Sequence, residues 1–310
     1  MNVQPLPGMA LALVVALCAG SAAAASDGGC APGGGPRPEQ VVFGGARPMT
    51  LSVPQRYDAN CAAPLLLVLH GYGSSGKQHE AYFGLTGLVE AHGVLLAAPD
   101  GTKDGEGHRF WDTGTDACCN FSGTEVDDVK YLRDLLAEIR AVYNVDPRRI
   151  FVVGHSNGAF MAHRLSCELA GEVAAVVTLA GTTSSKRGER CRPKSPLSVL
   201  QIHGDRDQSV RYGGGSGILG RDGGVYPGAL ATTTQWALDD GCTRSRVRGP
   251  ALDLDAVLPG RETTVSTYMG CPRGTNVTLW TIHDGGHAPS VADRFPGLVW
   301  PWLQAHARRR

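Results

Sequence analysis

An α/β fold, with a mostly parallel sheet covered by helices on both faces, is predicted by three observations. Short apolar runs alternate with segments of helical periodicity along most of the chain. One run, Ile150-Phe151-Val152-Val153, feeds Gly154-His155-Ser156-Asn157-Gly158 and then a helix-capable stretch from Ala159. A hydrophobic content of 42% over 310 residues is ample for one full core.

Taken in order, Val41 to Val53 reads as one or two opening strands, and the unbroken Leu65 to Leu69 as a buried central strand. Lys77 to Ala91 is helix-like and Val94 to Ala98 strand-like. Val129, Leu132, Leu135, Leu136, Ile139 and Val142 fall on one face of a helix predicted over Asp127 to Tyr143. Strands follow at Ile150 to Val153, Val173 to Leu179, Leu197 to Ile202 and Val277 to Ile282, then a closing helix over Val291 to Ala307 with a Pro interruption. Ligands of such sheets collect at the carboxyl ends of the strands.

Three segments are expected. Residues 1–25 read as a signal peptide: Met9 to Ala19 is apolar but too short to span a bilayer, and Ala23-Ala24-Ala25 is a small-residue cleavage pattern. Residues 26–40 form a Gly/Pro-rich arm, and residues 41–307 the catalytic domain. The expected location is therefore outside the cytoplasm, secreted or periplasmic. Of nine cysteines, eight lie beyond Ala25, an even number that favours disulfides in an exported chain. Cys242 with Cys271 and Cys167 with Cys191 are the expected pairs. No C-x-x-C or compact Cys/His cluster suggests a metal. Lys plus Arg equals Asp plus Glu at 29 each, so nucleic acid is not an expected partner, nor is stable membrane insertion.

Strand, G-x-S-x-G and helix together make a nucleophile elbow, which holds Ser156 on a sharp turn above the sheet. A serine hydroxyl needs a base to take its proton and an acid to hold that base. His287, after the Val277 to Ile282 strand and the loop His283-Asp284-Gly285-Gly286, is the expected base, with His283 as its rival. The acid should follow Leu197 to Ile202, in His203-Gly204-Asp205-Arg206-Asp207. Asp207 is preferred; Asp205 is the alternative, suited to capping a turn. The order Ser156, Asp207, His287 is that of a Ser, acid, His triad. An oxyanion hole would draw on the backbone N–H of Asn157 and on that of Tyr72, or of Gly71, in His70-Gly71-Tyr72-Gly73.

These motifs, together with the Trp111 to Cys119 stretch, Val126-Asp127-Asp128-Val129 and Gly285-Gly286-His287, follow one another in the order of a known group. The chain resembles the exported polyhydroxybutyrate depolymerases and feruloyl or acetylxylan esterases of the α/β-hydrolase fold, over about Val41 to Gln304. The resemblance implies a serine esterase with the triad Ser156, Asp207 and His287, whose chemistry would pass through an acyl-enzyme and require no cofactor. It places the acid four residues after the histidine of the His-Gly turn, which supports Asp207. Such proteins commonly carry Trp-Pro shortly after the catalytic histidine; here Ala288-Pro289-Ser290 follows.

A large lid does not fit between Leu179 and Leu197, and an uncovered serine suits a bulky ester, a polymer chain or a decorated polysaccharide better than a buried lipid tail. Trp111 is a candidate wall of the substrate cleft, and the Gly213 to Gly228 loop a candidate rim. A peptidase or an acyltransferase could use the same triad, and a non-catalytic binding protein would be expected to lack one of its members.

Overall fold

The computed structural model describes Met1 and residues 41–115, 117–184, 192–218 and 220–309. The predicted signal peptide, arm and cleavage site lie outside the described residues, as does Cys191. The compact unit that holds the site is built on an eight-stranded sheet.

The chain opens with the short antiparallel pair β1 (Val42–Phe43) and β2 (Met49–Thr50). Then come β3 (Ala63–Leu69), α1 (Gly76–Tyr82), α2 (Thr86–His92) and β4 (Leu95–Ala97). The hairpin β5 (Thr102–Lys103) and β6 (Arg109–Phe110) precedes α3 (Asp128–Val142), β7 (Val145–His155), α4 (Asn157–Glu168) and β8 (Ala175–Leu179). After β9 (Ser198–Gly204) a second hairpin, β10 (Gly214–Ile218) and β11 (Arg221–Pro227), leads to α5 (Ala229–Asp239). The closing elements are β12 (Arg246–Arg248), β13 (Thr263–Tyr268), β14 (Val277–Ile282) and α6 (Phe295–Ala305). The sheet order is β12-β13-β14-β9-β8-β7-β3-β4. It is parallel from β14 to β4 and antiparallel at the β12–β13–β14 end.

The unbroken apolar run of β3 follows from burial on both faces. Leu65, Leu67 and Leu69 enter one core with α3, α4 and α5, while Leu66 and Val68 enter the other with α2 and α6. Helix α3 is specified by its stripe Val129, Leu132, Leu135, Leu136 and Ile139, all buried, and by Asp127, whose side chain accepts the Lys130 N–H at 2.8 Å. Each of those side chains contributes roughly 1.5–3 kcal/mol of burial. Leu135→Ala would leave a cavity costing about 2–5 kcal/mol.

Several boundaries differ from expectation. The helix predicted over Lys77 to Ala91 is two helices, because Gly84 turns at φ +66° and packs against the chain at Ala292: a Cβ there would lie 2.1 Å from the Ala292 carbonyl oxygen. The closing helix begins at Phe295, with Pro296 in its first turn, where a missing N–H is tolerated. Helix α5 and strands β12 and β13 were not anticipated. The run Thr232-Thr233-Thr234 is a poor helix signal, and Thr263 to Tyr268 is too polar to read as sheet. Cys242 and Cys271 are bonded as predicted, tying the end of α5 to the turn after β13, and Cys118 is bonded to Cys119.

Candidate active site

Strand β7 ends at His155, and the chain reverses into α4 through Ser156, whose φ of +55° and ψ of −122° place it in a region that L-residues seldom occupy. The flanking glycines make the turn possible. A Cβ on Gly154 would stand 2.2 Å from the Gly158 carbonyl oxygen, and one on Gly158 2.1 Å from that of Leu69. The serine hydroxyl thus projects at the carboxyl edge of the sheet, with the amino end of α4 behind it.

The loops after β9 and β14 bring the two partners to that edge. His287 Nε2 lies 2.9 Å from Ser156 Oγ, and His287 Nδ1 lies 2.7 Å from Asp207 Oδ2. Asp207 Oδ1 accepts the N–H groups of Ser209 and Val210 at 2.8 and 2.9 Å, and His203 Nε2 approaches Oδ2 at 3.3 Å. Burial pushes the Asp207 pKa up, but the hydrogen bonds from His203 and His287 outweigh it and hold the carboxyl well below the usual range. A carboxylate fixed at Nδ1 puts the imidazole proton there and leaves Nε2 free to take the serine proton.

The rivals pair with each other. Asp205 Oδ2 meets His283 Nδ1 at 2.9 Å and Asp205 Oδ1 accepts the Asp284 N–H at 2.8 Å, so neither reaches Ser156 or His287.

Gly71 N–H is directed at His79 Nε2, 3.2 Å away. The Tyr72 and Asn157 N–H groups have no acceptor among the described residues. The Asn157 side chain is clipped to the backbone of Trp111, accepting its N–H at 2.7 Å and donating to its carbonyl at 3.0 Å. Trp111 therefore does not wall the cleft. It is fully buried, its indole N–H donates to the His70 carbonyl at 3.0 Å, and its ring lies 5.0 Å from the His70 ring. The loop carrying Trp111 is pinned from behind by Asp128, which accepts the Asp112 N–H at 2.6 Å and pairs with Arg47. The partly exposed aromatics on this side are Tyr72 and Phe121, whose rings are 5.3 Å apart. The Tyr72 hydroxyl donates to Asp104 at 2.5 Å, and Arg221 of β11 lies over Phe121 and bonds Glu106. The segment Gly213 to Gly228, expected as a rim, contains the β10–β11 hairpin, whose Arg221 reaches Glu106 between β5 and β6.

One feature of the candidate site escaped sequence reading. His155 Nε2 lies 2.9 Å from the backbone carbonyl of His287, and its Nδ1 lies 3.0 Å from His79 Nε2, which Ser74 Oγ backs up through Nδ1 at 3.0 Å. A carbonyl only accepts, so His155 Nε2 carries the proton. Burial lowers the His155 pKa to about 3 and the His79 pKa to about 4, so both rings are neutral in ordinary buffers. The first variable position of G-x-S-x-G carries no signal for such a role.

Comparison with known proteins agrees with this architecture. Residues 57–217 match the phospholipase/carboxylesterase family. Feruloyl esterase B of Piromyces equi is 30% identical over 245 residues, which are 78% of this chain and 42% of that protein. Feruloyl esterase D of Neurospora crassa is 26% identical over 307 residues, 94% of this chain and 92% of the relative. Among solved structures, the acetyl xylan esterase from Aspergillus awamori superposes with a TM-score of 0.56 at 15% identity, covering 83% of this chain and 94% of that one. The fold and the match define an α/β-hydrolase enzyme of the carboxylic ester hydrolase class. The chain belongs to the phospholipase/carboxylesterase family. It spans less than half the length of the Piromyces relative, and no helix among the described residues is long and apolar enough to cross a membrane.

Proposed function

We propose that the protein is an exported serine esterase acting on bulky, polysaccharide-linked esters, with Ser156 as nucleophile, His287 as general base and acid, and Asp207 as the group that orients it. The observation that carries this reading is the continuous Asp207–His287–Ser156 chain of hydrogen bonds at 2.7 and 2.9 Å. Ser156 Oγ attacks the ester carbonyl carbon as its proton passes to His287 Nε2. The N–H groups of Tyr72 and Asn157 receive the negative charge that develops on the carbonyl oxygen. When the tetrahedral intermediate collapses, the C–O bond breaks and the alcohol departs with the proton from His287. Water then attacks the acyl-enzyme by the same proton route, releasing the acid and restoring Ser156. Every step uses the chain's own side chains and water.

Export is supported by the apolar amino-terminal stretch with its small-residue cleavage pattern, and by the Cys242–Cys271 bond. The relatives named as feruloyl esterases support a substrate of that kind over a polyester.

The test is one substrate panel with wild type and Ser156→Ala: methyl ferulate, acetylated xylan, hydroxybutyrate oligomers, nitrophenyl esters and a matched peptide amide. Turnover of the aromatic or acetyl esters that falls by about 10⁴-fold or more in Ser156→Ala supports the reading. Preference for hydroxybutyrate moves the substrate to polyester, preference for the amide makes it a peptidase, and transfer of the acyl group to an added alcohol makes it an acyltransferase. Undiminished activity in Ser156→Ala removes the triad assignment.

A further inference from the structure

The outer end of the sheet carries a feature that the triad chemistry does not use. Strand β12 pairs Arg246 with Tyr268 and Arg248 with Ser266; β13 pairs Ser266 with Leu279 and Thr264 with Thr281. Because side chains alternate along strands and register across them, Arg246, Arg248, Thr264, Ser266 and Thr281 share one face of the sheet. They border an open groove of about 530 Å³, which Arg244 also lines. Tyr212, just before β10, and Leu230, in the first turn of α5, line it as well. The groove runs to Asp205 and His283, at the carboxyl ends of β9 and β14. That is the edge from which Asp207 and His287 project.

Two properties of this groove narrow what it can hold. First, its floor carries the hydroxyls of Thr264, Ser266 and Thr281 around the largely buried Leu279, with the Tyr212 hydroxyl 2.7 Å from Thr281 Oγ1. These hydroxyls offer donors and acceptors to a hydroxylated chain. Second, none of the three guanidiniums has a carboxylate partner among the described residues, and all three residues are exposed. Arg246 is further steadied by the Tyr268 ring, 5.5 Å from its Cζ, and that ring is held in turn by Thr234 Oγ1 at 2.6 Å. The one carboxylate lining the groove, Asp205, is already engaged by His283 and the Asp284 N–H. Charged residues on an edge strand also guard it against pairing with another sheet. That purpose is met by charges of either sign, and it does not call for cations aligned along a hydroxylated groove leading to the catalytic edge. The chain-wide charge balance conceals this local excess.

We infer that the β12–β14 groove is an accessory binding site for a carboxylate-bearing polysaccharide, with Arg244, Arg246 and Arg248 recognising uronate groups while the esterified part of the chain lies over Ser156. Guanidinium suits the task, since its planar fork pairs two-pronged with a carboxylate. The inference deepens the esterase reading and rests on it for the placement of the ester, but the binding itself requires no turnover.

Binding is therefore measured on Ser156→Ala protein, with polygalacturonate as the acidic probe and arabinoxylan as the neutral one. Polygalacturonate should bind at low ionic strength and be released near 0.5 M salt, a concentration at which screening acts over roughly 4–5 Å. Arabinoxylan should bind more weakly. The added substitutions Arg244→Gln, Arg246→Gln and Arg248→Gln together should weaken polygalacturonate binding by about tenfold, in a protein whose melting temperature confirms that it is folded. Equal binding by the triple variant, salt-insensitive binding, or equal affinity for arabinoxylan overturns the inference. Tighter binding of dextran sulfate or duplex DNA than of polygalacturonate overturns it in favour of a general polyanion surface. If instead Ser156→Ala protein still hydrolyses esters, the triad assignment fails while the binding result stands.

Discussion

Two acid–imidazole pairs leave the same two loops. Asp207 meets His287 at 2.7 Å and Asp205 meets His283 at 2.9 Å, so distance does not separate them. Surroundings do. The Asp207 side chain is wholly buried and the His287 side chain 21% exposed, whereas Asp205 and His283 are 30% and 50% exposed. Asp207 is also held by two backbone N–H groups and by His203, and its imidazole has a hydroxyl on the far side. The comparison teaches that two Asp–His contacts of nearly equal length are told apart by what fixes the acid and what the ring's second nitrogen faces.

The largest effect that sharpens this contrast is in turnover. Asp207→Asn should lower kcat by about 10⁴-fold, because an amide at that position no longer enforces the tautomer with a free Nε2. Asp205→Asn should change it by less than about threefold, the exposed pair being screened by water. Steady-state kinetics on a nitrophenyl ester checks both, and a comparable loss in the two variants would erase the distinction. A smaller effect is expected from His155→Phe, which keeps a ring beneath the site but removes the donor to the His287 carbonyl. Slight displacement of the base should lower kcat about tenfold with little change in KM, and His155→Gln, which can still donate, should recover part of the loss. A fall in KM-linked affinity alone would argue against a positioning role.

Stability provides a further contrast between a paired and an unpaired buried acid. Both carboxyl oxygens of Asp240 are buried without a hydrogen-bond partner of good geometry among the described residues. Burial, opposed by the Leu197 amide and reinforced by Asp239, pushes its pKa up to about 8. The folded state therefore holds this proton more tightly than the unfolded chain, and stability is lost as pH rises from about 4 to about 8. Asp207 runs the other way: its depressed pKa contributes stability above the usual carboxylate range, lost as pH falls below it. Asp240→Asn should stabilise the protein by at least about 1 kcal/mol at pH 8 and by little at pH 4. Urea unfolding at the two pH values reads this directly, and equal gains at both would show that Asp240 does not titrate in that window. The smallest effect is expected from His283→Ala, within about 0.5 kcal/mol of wild type by the same measurement.

The parts of the candidate site that depend on chain order were legible in the sequence. The elbow, the His-Gly turn after β9 and the Gly-Gly-His after β14 each sit where a strand must end, so Ser156 and His287 could be named from periodicity and glycine placement. The choice between Asp205 and Asp207 could not be made from reach. It depends on the turn after β9, where the Asp205 N–H still bonds the Ile282 carbonyl at the sheet edge and the Asp207 N–H folds back onto Gly204. Trp111 misled because a large aromatic in a loop near the site suits a wall as well as a wedge, and only its contacts with Asn157 and His70 tell the two apart. The threonine-rich helix α5 and the polar strand β13 were hidden because neither has the apolar period that marks its class. Both are stabilised by what they pack against rather than by their own pattern.

The bond from the His155 ring to the His287 carbonyl ties the proposed base, besides its hold on Asp207, to the same sharp turn at the end of β7 that carries the Ser156 hydroxyl. Heating that loosens the turn disengages both at once. Thermal inactivation should then leave no lingering species that still labels with a phosphonylating serine reagent after ester turnover has ceased: the two signals should decay together.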